Sequence, residues 1–436
     1  MSSDHLAPIR ITDHDIDSAS VSPNAVVVIE TLRDAGYDAY LVGGCVRDLL
    51  LGLKPKDFDV ATSATPEDVK AVFPRVRLVG RRFRIAHVRF RREIIEVSTF
   101  RRHFDPDDEA QNEHNRRSEE GVILRDNAYG RMDEDAFRRD FTINALYCDP
   151  ISNELLDYTN GLADIEAQSL KLIGDSKQRF REDPVRILRA IRFAAKLGFE
   201  LDHETADAIS PMSELLTAIP PARLFDEFMK LFLNGHAART WQLMQLYELP
   251  EILFPLYDHG EPLIVAALES TDKRVAVNKP VTPGFLLAAI LWEEFRERCA
   301  DTATMSNPGD ERMKAAQIVI SEQQLTIAVP RRFSMFVRDV WNLQLRLERR
   351  LPRTLFKTLD HPRFRAAYDF LVLRAQIGEV DEELSAWWTS IQELDRDEQA
   401  ATIRALEPKR KRRRRRSRGA TSDDADDLDA QPTDLP

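Results

Sequence analysis

Cysteine is scarce. The 436 residues hold three, Cys45, Cys148 and Cys299, too far apart for a disulfide framework. That usage fits a reducing compartment, and the spacing supplies no zinc-binding pattern. Long apolar runs are missing too. The longest strongly apolar stretch, residues 285–292, is far short of the about 20 residues that span a bilayer. Residues 1–12 carry no apolar segment of signal-peptide length. A cytoplasmic location is therefore expected, with no transmembrane segment. A uniformly basic charge is also absent: 62 Lys and Arg stand against 73 Asp and Glu, a net charge of -11. This excludes a uniformly basic nucleic-acid binder. No internal repeat is evident.

What is present begins with a segregation of charge. Residues 409–418 are Lys409, Arg410, Lys411, Arg412, Arg413, Arg414, Arg415, Arg416, Ser417 and Arg418, nine cations around one serine. Residues 423–436 hold six aspartates and no base, which leaves -14 on everything before Lys409. So dense a run of like charge repels itself and stays extended. Its natural counter-charge is a polyphosphate backbone. RNA contact through this run is the expectation; a solvated tail shielded by its acidic neighbour is the plain alternative.

Up to about Asp164 the chain reads as mixed α and β. Residues 23–33 have a helical pattern closed by Gly36, and residues 39–42 read as a strand. Gly43-Gly44 then opens a helix that stops at Gly52. Strands are expected over residues 58–61, 76–79, 85–90 and 94–98, with a helix beginning at Thr65-Pro66. Residues 105–120 read as a long mobile loop, and residues 145–157 as a hairpin. Beyond Asp164 helical patterns dominate, among them residues 184–197, 222–233 and 239–247. The fold class expected is α+β: an α/β head with a small mixed sheet, then an all-α body. The divisions are a disordered N-terminus (1–22), a head (23–165), a helical neck (166–240), a body and leg (241–400) and a disordered tail, basic then acidic (401–436).

Three constellations could carry chemistry. In Leu41-Val42-Gly43-Gly44-Cys45-Val46-Arg47-Asp48 a strand ends in two glycines, so backbone N–H groups can approach a phosphate, with Arg47 one turn in. Alone, a Gly-Gly pair is more often just a turn. In Lys56-Asp57-Phe58-Asp59-Val60, a strand would place Asp57 and Asp59 on one face, roughly 7 Å apart along it. Two carboxylates so placed can converge on Mg2+. Two metals about 3.5–4 Å apart can clamp the attacking and leaving oxygens of an in-line phosphoryl displacement. The plain alternative is a solvated surface pair. A third carboxylate has two candidates, Glu96 in the apolar Ile94-Ile95-Glu96-Val97-Ser98 and Asp140 in Arg138-Arg139-Asp140-Phe141-Thr142-Ile143-Asn144. Residue chemistry alone does not rank them. The last constellation is Arg181-Glu182-Asp183-Pro184-Val185-Arg186-Ile187-Leu188-Arg189-Ala190-Ile191-Arg192. Either it is an N-cap with a solvated basic face, or Asp183 and Arg186 read a base edge.

Taken together, residues 41–60, 138–146, 157–164 and 181–198 resemble, in order, the motifs of the class II nucleotidyltransferases. That family comprises the bacterial poly(A) polymerases and the tRNA CCA-adding enzymes. One departure is Asn160-Gly161 where many members have Gly-Gly. Residues 78–88 and 360–369 and the basic tail resemble the poly(A) polymerase branch. The His-Asp pattern of a metal-dependent phosphohydrolase is not seen. The resemblance implies template-independent transfer of AMP from ATP to RNA 3′ ends, promoting RNA turnover. It implies two Mg2+ ions on Asp57 and Asp59, with Glu96 or Asp140 as the third carboxylate and Mn2+ as a replacement. Gly43, Gly44 and Arg47 would hold the triphosphate, and Arg139 and Asp140 would lie near ribose or metal. Asp183, Arg186 and Arg189 would lie near the base. RNA-degradation machinery is an implied partner. The nearest alternative is a CCA-adding enzyme. Others are a silent RNA-binding protein and a transferase acting on a protein or small molecule.

Overall fold

A computed structural model describes residues 6–80, 84–102, 116–117, 123–125, 129–257, 260–301 and 308–406. The basic run and the acidic segment after it lie outside these residues, as does most of the expected loop over residues 105–120.

The chain opens with β1 (Ile9–Ile11), α1 (Pro23–Asp34), β2 (Ala39–Val42) and α2 (Gly44–Leu50). Then come β3 (Asp59–Thr62), α3 (Pro66–Val72), β4 (Val76–Val79), β5 (Ile85–Arg89) and β6 (Ile94–Thr99). A separate short ladder is formed by β7 (Arg116–Arg117) and β8 (Ile123–Arg125). It is followed by α4 (Met132–Arg138), β9 (Leu146–Asp149), β10 (Glu154–Asp157) and α5 (Gly161–Glu166). Eight strands join in one sheet, ordered β1-β10-β9-β2-β3-β6-β5-β4. Every neighbouring pair is antiparallel except β3 with β6, which makes the sheet mixed.

Local chemistry explains several boundaries. Thr65 and Asp68 form a reciprocal capping box with Pro66 in the first turn, which starts α3 at the expected place. Gly43 takes φ +79°, a left-handed conformation that bends the chain from β2 into α2. Asp157 accepts from the backbone N–H groups of Thr159, Gly161 and Leu162 at 2.9–3.1 Å and so begins α5. A Cβ on Gly161 would sit 2.3 Å from the Thr142 carbonyl oxygen, so only glycine lets α5 approach the segment that carries the Arg-Arg-Asp motif.

Two expectations at the chain ends are corrected. The sequence reads residues 1–22 as disordered, yet among the described ones Ile9–Ile11 pairs with β10, and Ile16 and Val21 are buried. Three residues are too short a run for periodicity to reveal, and the partner strand supplies the stabilising hydrogen bonds. The sequence places the start of the disordered tail at 401, yet a helix covers Arg396–Ala405. Asp395 and Glu398 form its capping box, and Ile403 is buried in a small apolar cluster.

Among the described residues after α5, the only strands are β11 (Ser169–Leu170) and β12 (Glu200–Leu201), which pair in parallel, and helices supply the rest of the regular structure. α6 (Ser176–Glu182) and α7 (Val185–Leu197) come first. α7 buries Val185, Ile187, Leu188, Ala190 and Ile191 and ends at Gly198, whose φ is +72°. That positive angle is the usual left-handed helix stop. α8 (His203–Met212), α9 (Pro221–Phe232) and α10 (Ala237–Leu246) follow, and further helices continue to Ala405. The core under α1 runs without a break into the core around Trp241 and Trp341. One contiguous apolar mass therefore fixes the sheet against the helices that face it. Among the described residues no helix is long and apolar enough to cross a membrane.

Candidate active site

The site lies at one end of β3, between the sheet and α7, α9 and α10. Asp59 opens β3 and is half-buried, whereas Asp57 is exposed in the bend before the strand. The pair is thus not on one regular strand, as the sequence suggested. Phe58 between them is buried in the main core, as expected. Parallel pairing sets Asp59 opposite Glu96 on β6. Burial, the Glu96 charge and the Asp57 charge together push the Asp59 carboxyl up to about 6, against the opposing pull of Arg139. Asp59 thus feels two like charges and one opposite one. Asp140, the other third-carboxylate candidate, is occupied differently. Its Oδ2 accepts from Arg189 Nε at 2.7 Å, and its Oδ1 accepts from Asn144 Nδ2 at 3.2 Å and from the Phe141 N–H at 2.9 Å. Burial alone would raise its carboxyl. The Arg189 charge and these bonds overcome burial and hold it well below the usual carboxylate range.

A cleft of about 490 Å3 opens beside Asp57 and Asp59. Gly44, Cys45, Asp48, Lys54 and Lys56 line the sheet side, and Arg192, Lys196, Lys230, His236 and Thr240 line the helical side. Carboxylates and lysines therefore share one cavity, a charge pattern suited to a polyphosphate carried with a divalent cation. Arg192 Nε and Thr240 Oγ1 are buried with no hydrogen-bond partner among the described residues. These lysines, His236 and Thr240 were not found by sequence reading. Lys196 carried a faint signal, four residues after Arg192 on the same helix. Lys54 and Lys56 adjoin the Asp57-Phe58-Asp59 segment itself, whereas Lys230, His236 and Thr240 come from α9 and the start of α10 with no motif to mark them.

The remaining expected residues divide into two groups. Gly43 and Gly44 make the turn at the cleft edge, and Arg139 Nη1 would lie 3.5 Å from a Cβ on Gly43. Arg139 itself donates to Asp135 Oδ2 from Nη2 at 2.8 Å, while the Tyr147 hydroxyl donates to the same oxygen at 2.7 Å. Asp135 is therefore a site residue that the sequence reading missed. Arg47 does not line the cleft. It is 3% exposed, donating to Asn144 Oδ1 at 2.7 Å and to Asp48 Oδ1 at 2.9 Å, with its guanidinium 5.2 Å from the Phe193 ring centre. Asp183 accepts from Arg223 at 2.9 Å. Arg186 donates to the Arg179 carbonyl at 2.8 Å and to Glu182 at 3.2 Å. Neither lines the cleft in this structure. Residues 409–418, expected to contact RNA, lie outside the described residues.

Mg2+ commonly binds through one or two carboxylates and leaves its remaining positions to water and substrate phosphates. Asp57, Asp59 and Glu96 fit that mode by charge. Among the described residues no three or more His, Cys, Asp or Glu side chains stand together so as to hold a metal ion by themselves, so a metal here would draw its remaining ligands from substrate phosphates and water.

The family model "Poly A polymerase head domain" matches residues 39–171. "Probable RNA and SrmB- binding site of polymerase A" matches residues 198–260, and "Polymerase A arginine-rich C-terminus" matches residues 306–420. Poly(A) polymerase I of Haemophilus influenzae is 44% identical over 424 residues, covering 93% of this chain and 92% of that protein. A CCA-adding enzyme of Lactobacillus helveticus is 38% identical over 227 residues, covering 52% of this chain and 54% of the enzyme. The fold resembles the Thermotoga maritima CCA-adding enzyme complexed with tRNA, with a TM-score of 0.58 and 20% identity over 86% of this chain and 84% of that one.

Proposed function

The chain belongs to the poly(A) polymerase family of class II nucleotidyltransferases, and we propose that the cleft beside Asp57 and Asp59 is its reaction centre. The activity is polynucleotide adenylyl transfer: AMP passes from ATP to an RNA 3′-hydroxyl without a template, and pyrophosphate leaves. The observation that carries this reading is the near full-length similarity to a poly(A) polymerase, against a similarity to CCA-adding enzymes that stops near half the chain.

Asp57, Asp59 and Glu96 would hold Mg2+, with Mn2+ as a replacement. Bound there, the metal supplies charge neutralisation at the 3′-hydroxyl and at the leaving pyrophosphate. The Gly43-Gly44 turn lets backbone N–H groups approach the triphosphate, while Lys54, Lys56, Lys196 and Lys230 offset its charge. Asp140 acts as a positioning residue, because Arg189 and Asn144 already occupy its oxygens. Arg47 supports the Gly-Gly turn from beneath through Asn144. Asp183 and Arg186 would read adenine, whose amino group donates to a carboxylate and whose ring nitrogen accepts from an arginine. For that, each must exchange its present partner for the base. Catalysis in this arrangement is positioning plus charge stabilisation. We place the head from Ile9 to residue 165, the neck over 166–240 and the body over 241–400, followed by a basic tail from Lys409 that contacts RNA. RNA-degradation machinery is the partner this activity serves, in the cytoplasm.

The deciding assay offers Mg2+, each single nucleoside triphosphate, a generic RNA and a tRNA lacking CCA. Long ladders from ATP on the generic RNA are expected. Addition restricted to CTP and then ATP on the tRNA would sink the reading.

A further inference from the structure

Among the described residues, the part of the sheet built from β4, β5 and β6 has one face packed in the core and the other half-buried to exposed. Ala86, Val88, Ile95 and Val97 are buried in the main core. The alternate residues His87, Glu96 and Ser98 are half-buried, and Arg89 and Ile94 are exposed. Register sets Arg77 opposite His87, His87 opposite Glu96, and Glu96 opposite Asp59. Directly opposed residues share a face, so these four form one row across four adjacent strands, about 14 Å long at roughly 4.8 Å per strand. His87 Nε2 lies 3.3 Å from Glu96 Oε1. The row leads outward from the proposed metal ligands to the edge of the sheet.

Its surroundings are cationic. Arg75, Arg77, Arg89, Arg91 and Arg92 stand on or beside these strands and have no ion-pair partner among the described residues. Sheet order adds a direction. β3 lies between β2, which leads into the Gly43-Gly44 turn, and β6, which carries Glu96. An in-line displacement needs the attacking oxygen and the leaving group on opposite sides of the phosphorus. With the triphosphate at the glycine turn, pyrophosphate departs toward α2 and the hydroxyl must arrive from the β6 side.

We propose that the open face of β4, β5 and β6 seats the 3′-terminal nucleotides of the RNA primer. Arg77 and Arg89 contact the backbone phosphates, and His87 positions the Glu96 carboxylate. This rests on the polyadenylation reading above. Within residues 78–88, which the reaction centre itself leaves unused, it gives a role to His87.

The test is the double variant Arg77→Gln/Arg89→Gln in the full-length chain, with a labelled oligo(A) primer, Mg2+ and ATP. Both arginines are exposed, and neither packs in the core. Loss of two charge-assisted contacts should raise the primer KM about tenfold or more. The ATP KM should stay within about twofold, and the log–log salt slope of primer binding should flatten by roughly 1.4, at about 0.7 per phosphate. Arg77→Lys/Arg89→Lys should restore most of the affinity. A raised ATP KM with an unmoved primer KM would overturn the proposal and assign the face to the nucleotide. No change in either would overturn it too, and would mean that another part of the chain covers the face. If the parent protein extends only tRNA lacking CCA, the polyadenylation reading fails by itself. The double variant is then scored on that tRNA by the same primer criterion.

Discussion

Arg189 donates from Nε to Asp140 Oδ2 at 2.7 Å, and this bond ties α7 to the segment that follows α4. The Phe193 ring, one turn further along α7, lies under three guanidinium groups. Arg47 is 5.2 Å from its centre, Arg189 5.3 Å and Arg192 4.7 Å. Arg47 also reaches Asn144, which reaches Asp140. A closed circuit of α2, the Arg-Arg-Asp segment and α7 thus holds the two walls of the cleft at a set distance.

Breaking that circuit should cost stability before it costs chemistry. Asp140→Ala leaves Arg189 without its carboxylate, a loss of about 3 kcal/mol by analogy with other largely buried pairs. Urea unfolding followed by tryptophan fluorescence would measure it. A shift in midpoint too small to correspond to about 1 kcal/mol would remove the circuit from the account of the fold.

The same pair predicts an acid limb. The Asp140 carboxyl is held below its unfolded value, so its contribution is complete above about pH 4 and fades as pH falls further. Asp140→Asn should be less stable than the parent at pH 7, and its stability should fall less steeply below pH 4. Parallel curves for the two proteins over that range would contradict the assignment.

Asp59 behaves in the opposite sense. Its carboxyl is raised by burial and by Glu96 and Asp57, so its ionised form is unfavourable in the metal-free fold. Asp59→Asn should therefore keep or raise the melting temperature without metal. It should lose the Mg2+-induced rise seen in the parent and drop kcat by about 10³-fold or more, the scale of several kcal/mol. Asp57→Ala should abolish transfer in a folded protein as well. Near-normal extension by either variant would refute its role.

Gly161→Ala brings a methyl group within 2.3 Å of the Thr142 carbonyl oxygen. Overpacking of that kind should destabilise by about 3 kcal/mol. Thermal melts would test it, and an unchanged melting temperature would show that α5 can shift freely.

Removing residues 409–436 takes away the nine-cation run. If about five of those cations meet phosphates, the log–log salt slope for single-stranded RNA should flatten by roughly 3.5. Extension of saturating primer should largely persist. An unaltered slope would separate the tail from RNA.

Much of this was legible in the sequence because the signals were local. The helix start at Thr65-Pro66, the strand before Gly43-Gly44 and the hairpin over residues 145–157 each follow from a few neighbouring residues. The buried Phe58 between two acids was legible for the same reason. That Glu96 lies opposite Asp59 while Arg189 holds Asp140 was not, since it depends on which strand pairs with β3 and on an arginine 49 positions away. Arg47 looked like a phosphate ligand because its sequence neighbours are glycines. Its real neighbours, Asn144 and Phe193, come from distant segments. The lysine wall of the cleft was equally invisible, with Lys54, Lys196 and Lys230 contributed by three separate parts of the chain.

β3 and β6 are the one parallel neighbour pair in the eight-stranded sheet, and the chain returns between them through α3 and the hairpin of β4 and β5. Side chains alternate with a period of two, so one residue inserted before Glu96 within β6 would turn the acid to the packed face. A residue inserted at the tip of that hairpin would leave Asp59 and Glu96 opposed. The hairpin can therefore change length at its tip while the pairing of β6 with β3 keeps Glu96 opposed to Asp59, provided that β5 keeps His87 beside Glu96.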